Sequence, residues 1–143
     1  MAILGIDYGA KKIGLAKSDD KNKFAMPLEI IKSDNQKEIL KRIKEVCEQE
    51  DIEKIIVGVP ISLKAEKRDN LFRLKDLENK QMQEVLVFVD WLKDNLKLPL
   101  EVEDERLSSK MANRLGRGEI KRKGDDDAVA AMLILQSYLD KNS

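Results

Sequence analysis

The chain opens on an apolar run, Ala2 to Gly9 (AILGIDYG), that carries straight into a carboxylate at Asp7. Ile3, Leu4 and Ile6 mark a buried strand, and a run this apolar belongs in the middle of a sheet. Aspartate is disfavoured in strands and is rarely buried without a partner. Asp7 therefore either caps the turn or stands at the sheet's C-terminal edge and binds a cation. Ile13 to Ala16 reads as a second strand, followed by a polar turn through Ser18, two Asp residues and Asn22. Phe24 to Ile31 reads as a third, with Pro27 placing it at an edge because proline donates nothing to a ladder. Three strands joined by short polar turns predict an antiparallel meander.

The period then changes. Ile39, Leu40, Ile43, Val46 and Cys47 recur at three and four residues, which predicts an amphipathic helix over 34–48 capped by Ser33 or Asp34. Lys54 to Pro60 returns to strand and ends on Gly58-Val59-Pro60. A helix between buried strands is a βαβ unit, so the first and fourth strands should be parallel neighbours, with Gly58 at the edge that holds Asp7. Gly58 either lets a substrate approach the backbone or makes a tight turn. Residues 62–80 are densely charged and poorly patterned, the best candidate for a partner-binding or substrate-gating insert. Residues 81–95 form a clearer helix on Val85, Leu86, Val89 and Leu92, with Trp91 at its margin. Leu100 to Asp104 is a fifth strand, with Leu100 and Val102 on one face and Glu101, Glu103 and Glu105 on the other. A further helix is expected over 107–115. A basic, glycine-punctuated stretch follows at 116–124, and a last helix starts within Asp125–Asp127. In that helix Asp127 shares a face with Ala131, Ile134 and Tyr138.

Composition narrows the chemistry. The 143 residues suit one domain, 1–143, with one substantial core. Acidic and basic residues balance at 27 each, which argues against a nucleic-acid coat held by bulk positive charge but not against basic patches beside an acidic site. There is no histidine, which removes imidazole metal sites, triads and shuttles. The single cysteine, Cys47, lies on an apolar stripe and reads as a small core residue. Asp7 interrupts the first apolar run too early for a signal peptide, and no run is long enough to span a bilayer. A cytoplasmic protein with no membrane contact is expected.

Three places thus supply carboxylates near one sheet edge: Asp7, then Asp104 or Glu105, then Asp127. Two like charges about 4 Å apart repel by roughly 4 kcal/mol at an effective dielectric near 20. Shared protons or a divalent cation relieve that, and oxygen donors suit Mg²⁺ or Mn²⁺ better than zinc. Two such ions about 4 Å apart activate water and stabilise the leaving oxygen of a phosphodiester. Lys11, Lys12, Arg106, Arg114, Arg117, Lys121, Arg122 and Lys123 are candidate phosphate contacts, with Arg106 foremost because it follows Asp104-Glu105 directly.

Several stretches also carry a resemblance. Gly5-Ile6-Asp7-Tyr8-Gly9 with Ile13-Gly14-Leu15-Ala16, then Val57-Gly58-Val59-Pro60, Asp104-Glu105-Arg106-Leu107-Ser108-Ser109 and Asp127-Ala128-Val129-Ala130-Ala131 together resemble the YqgF family of RuvX-like Holliday junction resolvase homologues, also described as pre-16S rRNA nucleases. The resemblance implies an α/β, RNase H-like fold: a five-stranded mixed sheet, three antiparallel N-terminal strands plus two parallel ones, flanked by helices. It implies Asp7, Glu105 and Asp127 as the catalytic and metal-binding acids. It also implies a cytoplasmic bacterial endonuclease that matures the 5′ end of 16S rRNA, alone or with ribosomal particles. Lys12 stands where the family usually carries Arg, and Ser108-Ser109 replaces a more common Thr-containing pair. Competing readings are a nuclease of branched DNA, which would favour a homodimer over a monomer, and a non-catalytic nucleic-acid-binding protein.

Overall fold

The computed structural model describes residues 2–9, 11–59, 80–104 and 126–142. Five strands and three helices follow one another along them: β1 (Ala2–Tyr8), β2 (Ile13–Ser18), β3 (Ala25–Ile31), α1 (Gln36–Gln49), β4 (Ile52–Val59), α2 (Lys80–Asn95), β5 (Leu100–Asp104) and α3 (Asp126–Lys141). The sheet order is β3-β2-β1-β4-β5. β1 pairs antiparallel with β2, and β2 antiparallel with β3. β4 joins the other side of β1 in parallel, and β5 joins β4 in parallel. This is the five-stranded mixed sheet of the RNase H-like fold. The apolar run at the start of the chain is its central strand, and β3, with Pro27, is an edge. The helix expected over 107–115, the insert at 62–79 and the basic stretch at 116–124 lie outside the described residues.

Strand alternation sorts the core into two layers. Leu4, Ile6, Leu15, Ile55 and Val57 face α1 and α2, where Ile39, Ile43, Val46, Val85, Phe88, Val89 and Leu92 meet them. Ile3, Ala16 and Ile56 face the other way, against Ala131, Ile134, Leu135, Tyr138 and Leu139 of α3. The face expected to join Ala131, Ile134 and Tyr138 is therefore the buried one. Gly5 lies on it too. A Cβ built there would stand 2.8 Å from the Leu135 Cβ and 3.0 Å from the Ala131 carbonyl oxygen, so α3 rests directly on the β1 backbone.

Two local expectations need correction. The cap of α1 is Asn35 rather than Ser33 or Asp34: its Oδ1 accepts from the backbone N–H of Lys37 at 2.9 Å and of Glu38 at 3.2 Å. The helix starts at Gln36, which puts only Asn35 two and three residues before open donors. Ser33 instead accepts from the Asn35 N–H and donates to Glu38, bracing the same turn. On β5, Val102 is 46% exposed whereas Glu103 is 4% exposed, the reverse of what their polarity suggests. β5 is an edge strand, and the last turns of α3 cover its Glu103 side. Among the described residues, no helix is long and apolar enough to cross a membrane.

Candidate functional site

Asp7 stands at the C-terminal end of β1, paired on one side with Gly14 of β2 and on the other with Gly58 of β4. Ile3 and Gly5 face α3, so alternation puts Asp7 on the same face. Its lateral neighbours and the residue two places below it are thus all glycines. A half-buried carboxylate rises from a patch of backbone without flanking side chains, where an ion or phosphate can come close. Gly58 is buried within β4, which settles its role against a tight turn.

Just beyond Asp7 the chain reverses. The Gly9 N–H donates to the Lys12 carbonyl at 2.9 Å, and a Cβ at Gly9 would lie 2.7 Å from that same oxygen. Only glycine closes the turn this tightly. Lys11 and Lys12 are exposed on it, near the strand end that carries Asp7.

α3 lies over the face of the sheet that carries Asp7. Gln136 Oε1 accepts from the Ala25 N–H at 2.8 Å, Ala25 pairs with Ser18, and Ser18 Oγ accepts from the Ile3 N–H at 2.8 Å. Leu135 and the Ala131 carbonyl rest on Gly5, so the middle of the helix crosses β1 two residues below Asp7.

Next in the row beyond Gly58 comes Glu103. Its Oε2 accepts from Ser137 Oγ at 2.9 Å and its Oε1 from Lys141 Nζ at 3.0 Å. Below it, Glu101 accepts from Lys54 and from the Tyr138 hydroxyl, and Lys54 also donates to that hydroxyl at 2.8 Å. These bonds hold Lys54 up to about 12 and Glu101 below the ordinary carboxylate range. They tie the C-terminal half of α3 to β4 and β5. Sequence reasoning missed Glu103 as a buried anchor. Its signal, an acid in a strand and a Ser and Lys four apart on a helix, has no meaning until the two elements are docked.

The backbone of Asp104 ends β5 opposite Val59. Glu105, Arg106, Arg114, Arg117, Lys121, Arg122 and Lys123 lie outside the described residues, so one expected acid and most expected phosphate contacts do too. Among the described residues, no three acidic or cysteine side chains gather into a metal-binding group. On the opposite face Tyr8 stacks on Phe88, with ring centroids 4.3 Å apart. Burial, then the nearby Glu84, pushes the Tyr8 hydroxyl above its ordinary pKa.

Residues 1–141 match the family model described as "RuvX: Holliday junction resolvase". The chain is 41% identical over 143 residues to a protein of Orientia tsutsugamushi, covering 97% of this chain and 83% of that one. It is 35% identical over 144 residues to one of Clostridium acetobutylicum, covering 98% of each. Both relatives carry the name "Putative pre-16S rRNA nuclease". Among solved structures, Thermus thermophilus RuvC superposes with a TM-score of 0.60 at 16% identity, over 99% of this chain and 96% of that one. The fowlpox virus resolvase bound to Holliday junction DNA gives 0.52 at 15%, over 99% of both chains. At such identities these two establish the fold alone.

Proposed function

We propose that this chain, a nuclease belonging to the RuvX family, hydrolyses phosphodiester bonds of structured RNA at the Asp7 end of its central strand, most directly in maturing the 5′ end of 16S rRNA. The observation that carries the reading is the Asp7 carboxylate between Gly14 and Gly58, on the face of the sheet that α3 covers. Asp7 and Asp127 supply only oxygen donors and there is no histidine, a set that fits Mg²⁺ or Mn²⁺. Alternation places Glu101 and Glu103 on the Asp7 face, which favours odd positions of this segment and hence Glu105 over Asp104 as the third acid. A divalent ion held by these acids would supply an activated water and charge stabilisation at the leaving oxygen. The chain's own contribution is to fix Asp7 at the end of the central strand and leave bare backbone beside it for the phosphate. Lys12, Arg106, Arg114, Arg117, Lys121, Arg122 and Lys123 are assigned to phosphate contacts around it. The relatives' name favours precursor rRNA, met in the cytoplasm with or without ribosomal particles.

The test is cleavage of precursor 16S rRNA in Mg²⁺ or Mn²⁺ by the wild type and by Asp7→Asn. Loss of at least a hundredfold in rate is expected, and unchanged cleavage by Asp7→Asn refutes the assignment. The family's description favours a second substrate, branched DNA. A four-way junction in the same assay separates the two, since paired symmetrical cuts require a homodimer whereas a single rRNA cut does not.

A further inference from the structure

The end of β1 presents chemistry on both faces. Away from α3, a groove opens between the start of α1 and the middle of α2. Tyr8, Phe88 and Trp91 form its aromatic wall, with Val87, Asp34 and Glu84 beside them. The Tyr8 and Phe88 rings lie 4.3 Å apart and 30° from parallel, and the Trp91 ring follows 5.8 Å further at 35°. Phe88 is buried, but Tyr8 and Trp91 are half-buried and Val87 is 58% exposed, so the aromatic row runs out to solvent.

The groove's charge says what it excludes. Among the described residues no Lys or Arg lines it, whereas two exposed carboxylates do. The N-terminus of α1, which would otherwise attract an anion, has its Lys37 and Glu38 N–H groups taken up by Asn35. A phosphate is repelled here. A flat ring with amino edges is accepted, its face on the aromatic wall and its N–H groups toward Glu84 or Asp34.

We propose that this groove binds a nucleobase next to the scissile phosphate, against the half-buried Tyr8 and Trp91 rings that Phe88 backs, and prefers bases with an exocyclic amine to uracil. Asp7 and Tyr8 are consecutive, with Cα atoms about 3.8 Å apart and side chains on opposite faces. A strand crossing the end of β1 with its phosphate at Asp7 thus turns a neighbouring base into the groove. The assignment rests on reading Asp7 as the phosphate-side acid, but the binding itself needs no metal and no cleavage.

Trp91 is the only tryptophan in the chain and stands in the wall, so its fluorescence reports occupancy directly. The full chain in EDTA is titrated with single-stranded 12-mers of A, C or U and with an abasic 12-mer. The A and C strands are expected to quench Trp91 and to bind about tenfold more tightly than the abasic strand, the scale of one stacked base. Tyr8→Leu, checked for native circular dichroism, should lose about tenfold in affinity for the A strand. Glu84→Gln, at an exposed site, should shrink the preference for A over U. The titration is made in EDTA and reads base binding alone, so a failed cleavage mechanism leaves this result standing and a failed groove leaves the cleavage result standing. Equal quenching by the abasic strand, or full affinity in a folded Tyr8→Leu, overturns the proposal.

Discussion

Gly5→Ala tests how α3 is held over the central strand. A Cβ there lies 2.8 Å from the Leu135 Cβ, whereas carbon atoms settle at about 3.5–4.0 Å. The shortfall is about 0.7–1.2 Å. Neither obstacle can swing aside: one is a Cβ and the other, at 3.0 Å, is the Ala131 carbonyl oxygen. The helix must lift as a body. Overpacking of this kind costs about 1–3 kcal/mol, and the smaller unfolded-state entropy of alanine returns about 0.5–1 kcal/mol. A net loss of up to about 2.5 kcal/mol follows, with about 1 kcal/mol at the middle of the range. Leu135→Ala keeps the offending Cβ and therefore does not rescue the variant. Urea denaturation, followed by far-ultraviolet circular dichroism, reads the change as a lower midpoint with an unchanged slope. If Asp7 and Asp127 hold the metal as proposed, Mn²⁺ binding should weaken as well. A Gly5→Ala midpoint at or above that of the wild type refutes the seating of α3 on Gly5, since alanine in an open strand position only stabilises.

Three further outcomes are expected. Burial and the neighbouring Glu48 push the Cys47 thiol up to about 11, so at pH 8 iodoacetamide should label it at least about a hundredfold more slowly than a free thiol near 8.5; mass spectrometry checks the rate, and labelling at the free-thiol rate contradicts it. Lys54 is raised from 10.5 and Glu101 lowered from 4.5, so their mutual stabilisation is complete between those values. It fades as pH rises through about 12 or falls below 4.5, and Lys54→Met should therefore cost a constant amount, below about 1 kcal/mol, from pH 5 to pH 10. Lys141→Met leaves the buried Glu103 carboxylate with Ser137 and should cost about 1.5 kcal/mol in denaturation, against little for another exposed lysine such as Lys44.

Much of the fold was legible because burial and period agree. Ile3, Leu4 and Ile6 make an all-apolar strand that could only be central, Pro27 marks an edge, and Ile39, Ile43 and Val46 repeat at helical spacing on the buried side of α1. Asp7 and Asp127, 120 residues apart, were each legible as acids at the end of an apolar element, and the family resemblance pointed to the same two positions. Features that depend on docking stayed hidden. Val102 has the side chain of a core residue but is 46% exposed, whereas Glu103 is polar but lies under Ser137 and Lys141. Phe88 fell outside the expected α2 stripe, although it is buried as deeply as its members, because Tyr8 reaches over from the sheet to cover it. The cap of α1 turned on one residue of phase: Ser33, Asp34 and Asn35 all have capping chemistry, and only the backbone chooses among them. At the candidate site, Asp7 was legible as an awkward acid at a strand end, but its two glycine neighbours come from strands 7 and 51 residues away and appear only once the register is known.

The alternation of β1 has a consequence for how this sequence can change. Consecutive residues, Asp7 and Tyr8, serve opposite sides of one strand, and that strand is locked between an antiparallel neighbour and a parallel one. Deleting a single residue from Ala2–Ile6 would not shift the acid slightly. With the Gly9–Lys12 turn holding the far end, a gap inside the strand would exchange the faces of the residues before it, taking core residues such as Leu4 out of their layer. The order of faces along β1 is therefore set by its register with both neighbours, not by any one side chain.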